Sequence, residues 1–358
     1  MASSNMTPRK GRGATFSPDP RYLESTRETF DDGWAADEEA LPPLQTHVTE
    51  ERARSIIAHN DSPDIPFRSS INPYRGCEHG CVYCYARPTH AYLDLSPGLD
   101  FETRLFAKVN AAELLREELS KPGYHPELIS LGANTDPYQP IERKYEITRQ
   151  IIEVLAECKH PFSIVTKSWM VERDLDLLAP MAEKNLVEVY VSITTLDHQL
   201  ARRLEPRATA PRRRVETVRR LSAAGISVGV MFAPVIPVLN DNEMERVLEA
   251  AAEAGARYAG YVMIRLPHET KDLFRDWLAT HVPLKARHVM SIIQDLRGGK
   301  DYDSKFGTRQ VGVGHYATLT QKRFQLACER LGLNKSAHDM DHTQFRPPLR
   351  AGPQYELF

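Results

Sequence analysis

Three of the chain's five cysteines lie within eight residues, at positions 77, 81 and 84 of the stretch NPYRGCEHGCVYCYAR. Thiolates are soft, negatively charged ligands that suit zinc or the iron of iron-sulfur clusters. Structural zinc normally takes four protein ligands, and no second CxxC follows, so a zinc site here needs a fourth ligand such as His79. A [4Fe-4S] cluster held by Cys77, Cys81 and Cys84 keeps one iron open for a substrate or cosubstrate. The sequence favours this open cluster, with a Cys3His zinc site as the alternative.

The composition is that of an ordinary globular protein, since 41% of the 358 residues are hydrophobic, 26% are charged and the formal net charge is -2. Such a chain has no overall charge that would attract nucleic acid or an anionic membrane, so that kind of binding needs a local patch. The longest apolar run, residues 228–239, is too short to span a bilayer. The N-terminus also lacks the apolar core of a signal peptide. These features predict a cytoplasmic protein, in which clustered cysteines bind metal or do redox chemistry.

Apolar, β-branched runs alternate with helical patterns from about residue 66 onward. Gly225 and Gly255 are each placed to end a helix just before a strand. Six runs predict strands, at residues 69–72, 128–132, 162–167, 187–194, 226–235 and 258–264. Apolar residues three and four apart predict helices between them, at residues 111–120, 145–159, 172–184, 213–225 and 243–255.

This alternation predicts right-handed βαβ units and a parallel sheet that is buried on both faces. The predicted fold class is therefore α/β, with a sheet that is either open or curled into a partial barrel. Parallel α/β sheets build their sites at the carboxyl ends of the strands. The cysteine stretch comes directly after the first strand, which places it at that end.

Two regions flank this core. Residues 1–65 are rich in Ser, Thr, Pro and charges, which predicts a mostly disordered N-terminal arm with one short helix near residues 49–58. Further helical patterns at 270–281 and 284–297 complete a core domain of residues 66–297. The C-terminal extension, residues 298–358, contains a Gly-rich stretch, a predicted helix at 322–333 and a polar tail.

The motif CxxxCxxC, with Tyr83 just before the third cysteine, follows the first strand of an α/β chain and resembles the radical S-adenosylmethionine (radical SAM) superfamily. The resemblance covers about residues 66–265 and implies a partial (β/α)6 TIM-like barrel. It implies that the amino and carboxylate groups of SAM chelate the open iron of a [4Fe-4S] cluster. Reductive cleavage of SAM then generates a 5′-deoxyadenosyl radical, which abstracts hydrogen from the substrate. An electron donor such as flavodoxin or ferredoxin is a further implied partner.

The resemblance also implies SAM-binding positions at the ends of the second, third and fourth strands. Residues 132–142, GANTDPYQPIE, occupy the place of the family's loop for the amino group of SAM, although the usual Gly-Gly-Glu is missing. Lys167 and Ser192 are placed to reach the carboxylate and the ribose. The alternatives are an Asx-type turn in the loop, a surface lysine and a serine bonded to its own backbone. The remaining cofactor-binding candidates are Tyr83, Asn134, Thr135, Asp136, Glu142 and Arg203.

Four stretches, NPYRGCEHGCVYCYAR, NTDPYQPIE, TKS and LEPRATAPRRRVETVRRLSAAGI, most resemble the spore photoproduct lyase-like, or DNA repair photolyase-like, branch of the superfamily. This branch implies a DNA or nucleic-acid substrate and a repair-related reaction. The chain departs from the lyases because no cysteine lies between Cys84 and Cys158 to serve as a hydrogen donor. Cys158 and Cys328 fall in amphipathic helices and are interpreted as core residues. The alternative function is a DNA-associated binding protein that keeps a cluster or metal for structure.

Eight arginines lie between residues 202 and 220, and they are candidates for a local phosphate-binding patch. The alternative is a solvated helix face paired with Glu205 and Glu216, and it is favoured for Arg219 and Arg220. Weaker phosphate-binding candidates in the Gly-rich stretch are Lys300, Lys305, Arg309 and His315.

The last five residues, QYELF, resemble the short peptide that binds the bacterial sliding clamp. In that resemblance Leu357 and Phe358 enter a hydrophobic pocket while Gln354 bonds at its rim. Tyr355 and Glu356 depart from the favoured residues. A clamp contact would tie the enzyme to replication or repair.

Overall fold

The chain forms a seven-stranded main sheet and a three-stranded side sheet. The computed structural model describes residues 9–23, 44–336 and 339–348. The strands in this part are β1 (His47–Glu51), β2 (Ile57–His59), β3 (Ser69–Ile71), β4 (Tyr74–Arg75), β5 (Arg104–Lys108), β6 (Ile129–Leu131), β7 (Phe162–Thr166), β8 (Val187–Ser192), β9 (Ser227–Val235) and β10 (Tyr258–Met263). The main sheet has the order β10-β9-β8-β7-β6-β3-β2 and the side sheet has the order β1-β5-β4. All neighbours from β3 to β10 in the main sheet are parallel, and β2 pairs antiparallel with β3.

Helices connect the parallel strands and cover the sheet. Short 3-10 helices occupy Arg87–Leu93, Trp169–Asp174 and Asp241–Glu243. The α-helices within the described ranges are α1 (Asp100–Thr103), α2 (Ala111–Leu119), α3 (Glu142–Tyr145), α4 (Ile147–Glu157), α5 (Leu175–Ala182), α6 (His198–Leu204), α7 (Pro211–Ala223), α8 (Met244–Glu253), α9 (Thr270–His281), α10 (Pro283–Asp295) and α11 (Gly314–Leu331). The predicted α/β class is confirmed, and the sheet is the curled, partial TIM-like barrel rather than an open sheet.

The strands form where β-branched side chains can be buried. Val189 and Val191 of β8 and Val228 and Val230 of β9 are fully buried and, being two residues apart, lie on the same face of the sheet. Helix α7 ends before Gly225, which has a φ of 81°, a conformation that glycine adopts without a steric penalty. The residue types that predicted these elements therefore also explain why they end where they do.

The N-terminal region is packed against the core where the structure describes it. The expected helix near 49–58 is wrong, because residues 47–51 form strand β1, which pairs in parallel with β5. The expected disorder is also wrong for residues 9–23. Gly13 lies so close to Gly80 that an added Cβ would sit 1.8 Å from the Gly80 carbonyl oxygen, and only glycine fits there.

The C-terminal region follows the last strand of the barrel. Helices α9 and α10 pack together, turns at 296–299 and 306–311 are joined by an irregular segment, and α11 starts at Gly314, eight residues before the predicted position 322. The clamp-binding candidates Gln354, Leu357 and Phe358 lie outside the described residues. In the described part of the chain, no helix is both long and apolar enough to span a bilayer.

Candidate active site

The cysteine stretch forms a loop between β4 and the 3-10 helix Arg87–Leu93, next to the carboxyl end of the sheet. Cys77 and Cys81 are buried and Cys84 is half-buried. All three line one cavity of about 270 Å³. The loop is held by backbone hydrogen bonds to distant segments, from the N–H of Cys77 to the carbonyl of Phe101 at 2.9 Å and from that of Val82 to the carbonyl of Leu204 at 3.1 Å.

A buried arginine holds the backbone of the cysteine loop in place. Arg87 donates from Nε to the carbonyl oxygen of Cys81 at 2.9 Å and from Nη2 to that of Gly80 at 3.2 Å. The same guanidinium pairs with Glu102. The Glu102 carboxylate also accepts the backbone N–H groups of Gly13 at 3.0 Å and Ala14 at 2.8 Å. The N-terminal segment thus braces the loop that carries the three cysteines.

The buried thiols favour a positively charged cofactor. Burial, followed by the nearby Glu205 carboxylate, raises the pKa of Cys81 to about 12. Burial, followed by the charge of Asp136, raises the pKa of Cys77 well above its usual value. A cationic metal centre offsets this cost of ionising a buried thiol, because a thiol that coordinates a metal is deprotonated. The donor set therefore fits an iron-sulfur cluster held by Cys77, Cys81 and Cys84.

His79, the fourth ligand of the zinc alternative, interacts with a carboxylate. It is buried, and its Nδ1 lies 3.3 Å from Oδ2 of Asp136. Among the described residues, no three His, Cys, Asp or Glu side chains converge on a single-ion site.

Asp136 joins the ends of β6 and β7 at the cavity wall. Its carboxylate accepts hydrogen bonds from the Thr166 hydroxyl group at 2.7 Å and from the backbone N–H of Lys167 at 2.7 Å. It also accepts the N–H of Tyr138 at 2.9 Å, which is the Asx-type turn considered as the alternative. Burial opposes ionisation, but His79 and these hydrogen bonds hold the pKa of Asp136 at about 2. Asp136 therefore forms the turn and also presents a negative charge to the cavity.

Four other candidates line the same cavity, namely Tyr83, Asn134, Lys167 and Ser192. The Nζ atom of Lys167 lies 5.9 Å from the centre of the Tyr83 ring. Burial lowers the pKa of Lys167, but the neighbouring Cys81 and Glu205 outweigh it and raise the pKa above the usual value. Lys167 is therefore a protonated ammonium group at the end of the third parallel strand.

A buried ion pair supports this wall, and sequence reasoning did not assign it to the site. Glu205 pairs with Arg214 and accepts the hydroxyl groups of Tyr83 and Thr194. Burial opposes the charge, yet Arg214 and Lys167 hold the pKa of Glu205 at about 2. The stretch LEPRATAPRRR, which contains both members of the pair, was a signal that could have indicated them.

Three predicted cofactor residues do not line the cavity. Thr135 is buried and donates from Oγ1 to the carbonyl of Tyr74 at 2.9 Å. Glu142 is fully buried at the start of α3, where it pairs with Arg173 and accepts the hydroxyl group of Tyr74. Arg203 is exposed on α6 and lines a different groove. The structure does not bring these three to the cavity, because proximity in sequence to a strand end does not determine where the side chain points.

The opposite wall comes from segments that the sequence did not connect with the site. Ile65 and Phe67 precede β3, whereas Arg265 and Gln310 follow β10. The two segments meet where Arg309 pairs with Asp64 and the N–H of Gly307 donates to Asp64 Oδ1 at 2.6 Å. The Gly-rich stretch thus reaches the site through Gln310 rather than through its basic residues.

The arginine run at 202–220 is divided among separate environments. Most of its members form ion pairs, with Glu78, Glu172, Glu205 and Glu216. Arg202 and Arg203 have no side-chain partner within the residues that the structure describes. The run is therefore not one continuous basic stripe.

The fold and the cavity define a radical SAM protein. The family model "Radical SAM superfamily" matches residues 71–251 of the 358, and the chain belongs to this superfamily. It is a radical SAM enzyme, whose cofactors are a [4Fe-4S] cluster and SAM.

Similar proteins fall into two groups. The uncharacterized protein Rv2578c of Mycobacterium tuberculosis is 41% identical over 227 residues, which cover 63% of this chain and 67% of that protein. The uncharacterized protein MJ0683 of Methanocaldococcus jannaschii is 29% identical over 173 residues, 48% of this chain and 62% of that protein. Among solved structures, spore photoproduct lyase complexed with dinucleoside spore photoproduct matches with a TM-score of 0.56 at 15% identity, over 80% of both chains. This last likeness concerns the fold.

Proposed function

We propose that this radical SAM enzyme acts on a nucleic acid in a repair-related reaction in the cytoplasm, with Cys77, Cys81 and Cys84 as the cluster ligands. The observation that carries the site assignment is that the three thiols share one cavity with polar side chains from the strand ends. When bound, the reduced cluster supplies the electron that cleaves SAM to the 5′-deoxyadenosyl radical.

The chain's own residues bind and orient SAM in this proposal. The Lys167 ammonium group pairs with the carboxylate of SAM. The Asp136 carboxylate, which is ionised above about pH 2, accepts a hydrogen bond from the amino group of SAM. Ser192 bonds the ribose. Tyr83 and Lys167 are kept in place by the buried Glu205, which contacts the Tyr83 hydroxyl and lies close to the ammonium charge.

The nucleic-acid assignment rests on two further observations. One solved structure with a similar fold is spore photoproduct lyase complexed with dinucleoside spore photoproduct, which supports a nucleic-acid substrate here. The sequence stretches that resemble the DNA repair branch include TKS and LEPRATAPRRR, and these supply Lys167, Glu205 and Arg214. Because no cysteine lies between Cys84 and Cys158, the reaction differs from that of the lyases in its hydrogen donor.

The test is anaerobic reconstitution with iron and sulfide, reduction with dithionite and addition of SAM, with and without ultraviolet-damaged DNA. We expect 5′-deoxyadenosine in both samples and altered nucleotides only in the damaged DNA. A protein that releases no 5′-deoxyadenosine would contradict the assignment of the cysteines. Release without any change in damaged DNA would contradict the substrate class alone.

Partner binding is tested separately. We propose flavodoxin or ferredoxin as the electron donor and the sliding clamp as the partner of Gln354, Leu357 and Phe358. Purified clamp should bind the full chain and lose that binding in a Leu357→Ala, Phe358→Ala variant. Equal binding by both proteins would overturn the clamp contact.

A further inference from the structure

A groove beside the cysteine loop is lined by basic residues from two distant parts of the chain. The N-terminal segment contributes Arg9, Lys10 and Arg12, and helix α6 contributes Arg202 and Arg203. The groove has a volume of about 640 Å³, and its remaining lining residues are Gly11, His198, Gln199, Pro206 and His281. No carboxylate lines this groove in the described part of the chain.

The positive charge of the groove is not neutralised locally. The side chains of Arg9, Lys10, Arg202 and Arg203 form no ion pair or hydrogen bond within residues 9–23, 44–336 and 339–348. The carboxylates nearby are already engaged, in the pairs Glu102 with Arg87, Glu78 with Arg207 and Asp276 with Thr15. Four cationic groups are therefore free to meet an anionic ligand.

The N-terminal half of the groove is held in place rather than loosely attached. Arg12 is buried and donates to the carbonyl oxygens of Glu102 at 2.9 Å and Leu44 at 2.7 Å. The next residue, Gly13, donates to the Glu102 carboxylate at 3.0 Å. Because this anchor lies only two residues after Lys10, the backbone of Arg9 and Lys10 is positioned opposite α6 before any ligand binds.

We propose that this groove binds consecutive phosphates of a nucleic-acid strand and so positions the strand for the neighbouring active site. The groove joins the cysteine loop directly, since the N–H of Val82 donates to the carbonyl of Leu204 at the end of α6, at 3.1 Å. Lysine and arginine side chains in a lining that holds no Phe, Tyr or Trp among the described residues suit the phosphate backbone rather than the bases. The inference rests on the proposed nucleic-acid substrate, and it adds that the phosphate backbone of this substrate is held in the groove.

Salt-dependent binding of a labelled DNA oligonucleotide to the full chain tests this proposal, with fluorescence anisotropy as the readout. Each phosphate contact contributes about -0.9 to the slope of log affinity against log salt for duplex DNA and about -0.7 for a single strand. A Lys10→Gln, Arg202→Gln variant loses two of these contacts. The slope should therefore become less steep by the amount that two phosphate contacts contribute, and binding should be weaker at every salt concentration.

The matched control is Arg219→Gln, Arg220→Gln, which removes the same charge from exposed residues of α7 that are paired with Glu216. Its slope should equal that of the wild type. Thermal melting of both variants checks that the fold is intact. Single-stranded and duplex arms distinguish which form of DNA is bound.

Three outcomes would overturn the groove as a phosphate site. These are equal slopes for the two double variants, absence of DNA binding, and equally tight binding of an acidic polypeptide. SAM cleavage by the wild type without DNA tests the proposed radical chemistry independently of the groove. A protein that cleaves SAM but binds no DNA keeps its radical chemistry and loses the nucleic-acid substrate together with the groove. A protein that cleaves SAM and binds DNA, but shows equal slopes or equally tight binding of the acidic polypeptide, loses only the groove.

Discussion

Arg87 and Glu102 form a fully buried ion pair, with Nη2 of the arginine 2.5 Å from Oε1 of the glutamate. Two charges without solvent contact gain little net stability over apolar residues, but removal of one partner leaves the other uncompensated. Here the arginine also holds the carbonyl oxygens of Gly80 and Cys81. The pair therefore links the packing of the N-terminal segment to the shape of the cysteine loop.

Substitution Glu102→Gln should destabilise the protein and impair cluster binding. An unpaired buried guanidinium costs about 3–5 kcal/mol in the free energy of unfolding. Denaturant unfolding and iron content measure the two effects. The control Glu113→Gln removes the exposed pair with Arg52 and should cost less than about 1 kcal/mol. Equal losses in the two variants would show that the buried pair has no special role.

Substitution Cys81→Ala should abolish the charge-transfer absorbance of the reconstituted cluster and the formation of 5′-deoxyadenosine. The thiol lines the cavity together with Cys77 and Cys84, and two thiols cannot hold three irons. The control Cys328→Ala changes a cysteine that is equally buried but lies in α11. Loss of the cluster in the control, or its retention in Cys81→Ala, would refute the assignment.

Substitution Lys167→Met should weaken SAM binding while the cluster remains. A charge-assisted hydrogen bond contributes about 1.5–3 kcal/mol, which corresponds to a rise in the dissociation constant of roughly ten- to hundredfold. Equilibrium binding of SAM to the reconstituted protein measures this change. The control is Lys285→Met, an exposed lysine of α10. An unchanged dissociation constant in Lys167→Met would remove Lys167 from the SAM site.

His160 should make the fold sensitive to mild acid. Burial lowers its pKa to about 4, and its ring is fixed between the Tyr124 hydroxyl at 2.8 Å and the Pro161 carbonyl at 2.9 Å. Because the folded-state pKa is below the unfolded value of about 6.5, this contribution to stability is complete above about pH 6.5. It decreases as the pH falls toward 4.

Between about pH 7 and pH 5, the contribution of His160 to the free energy of unfolding should fall by about 2 kcal/mol. A His160→Gln variant should lack that part of the pH dependence. The exposed His125, changed to Gln, should keep it. Parallel pH profiles for wild type and His160→Gln would contradict the prediction.

Substitution Asp64→Asn should loosen the wall of the cavity that joins the two ends of the sheet. Asp64 bonds both Arg309 and the N–H of Gly307, and these contacts hold Phe67 and Gln310 at the cavity. Hydrogen exchange of residues 60–67 and 305–312 should become faster, with little change in the core strands. Glu245→Gln, which removes a pair between α8 and α11, should leave those residues protected.

Local residue patterns were sufficient to predict the alternating strands and helices of a parallel α/β sheet, whereas the partial barrel was implied by the family resemblance. Strands β7, β8 and β9 are short, largely buried runs with β-branched residues, and Gly225 and Gly255 mark helix ends through positive φ angles that glycine tolerates. The cysteines, Asp136 and Lys167 share a cavity because strand ends in a parallel sheet meet at one edge. The spacing of apolar residues and the position of polar residues at the strand ends are both visible in the sequence.

Contacts between distant segments could not be predicted in the same way. Glu102 accepts the N–H of Gly13, 89 residues away, and neither residue belongs to a periodic pattern. The sequence predicted a short helix near residues 49–58, yet pairing with β5 makes residues 47–51 a strand, because tertiary contacts override weak propensities. Glu142 was assigned to SAM because of its place after β6, whereas Arg173 and Tyr74 hold it in the core.

The loop with the three cysteines is enclosed by chain that is synthesised both before and long after it. Its Val82 N–H bonds the carbonyl of Leu204, and the N–H of Arg207 bonds the carbonyl of His79 at 3.2 Å. The thiols are consequently not held in their final arrangement until the ribosome has passed Arg207. Iron and sulfide delivered to a nascent chain that ends before Arg207 would meet an unfinished pocket, so assembly of the cluster follows the synthesis of α6.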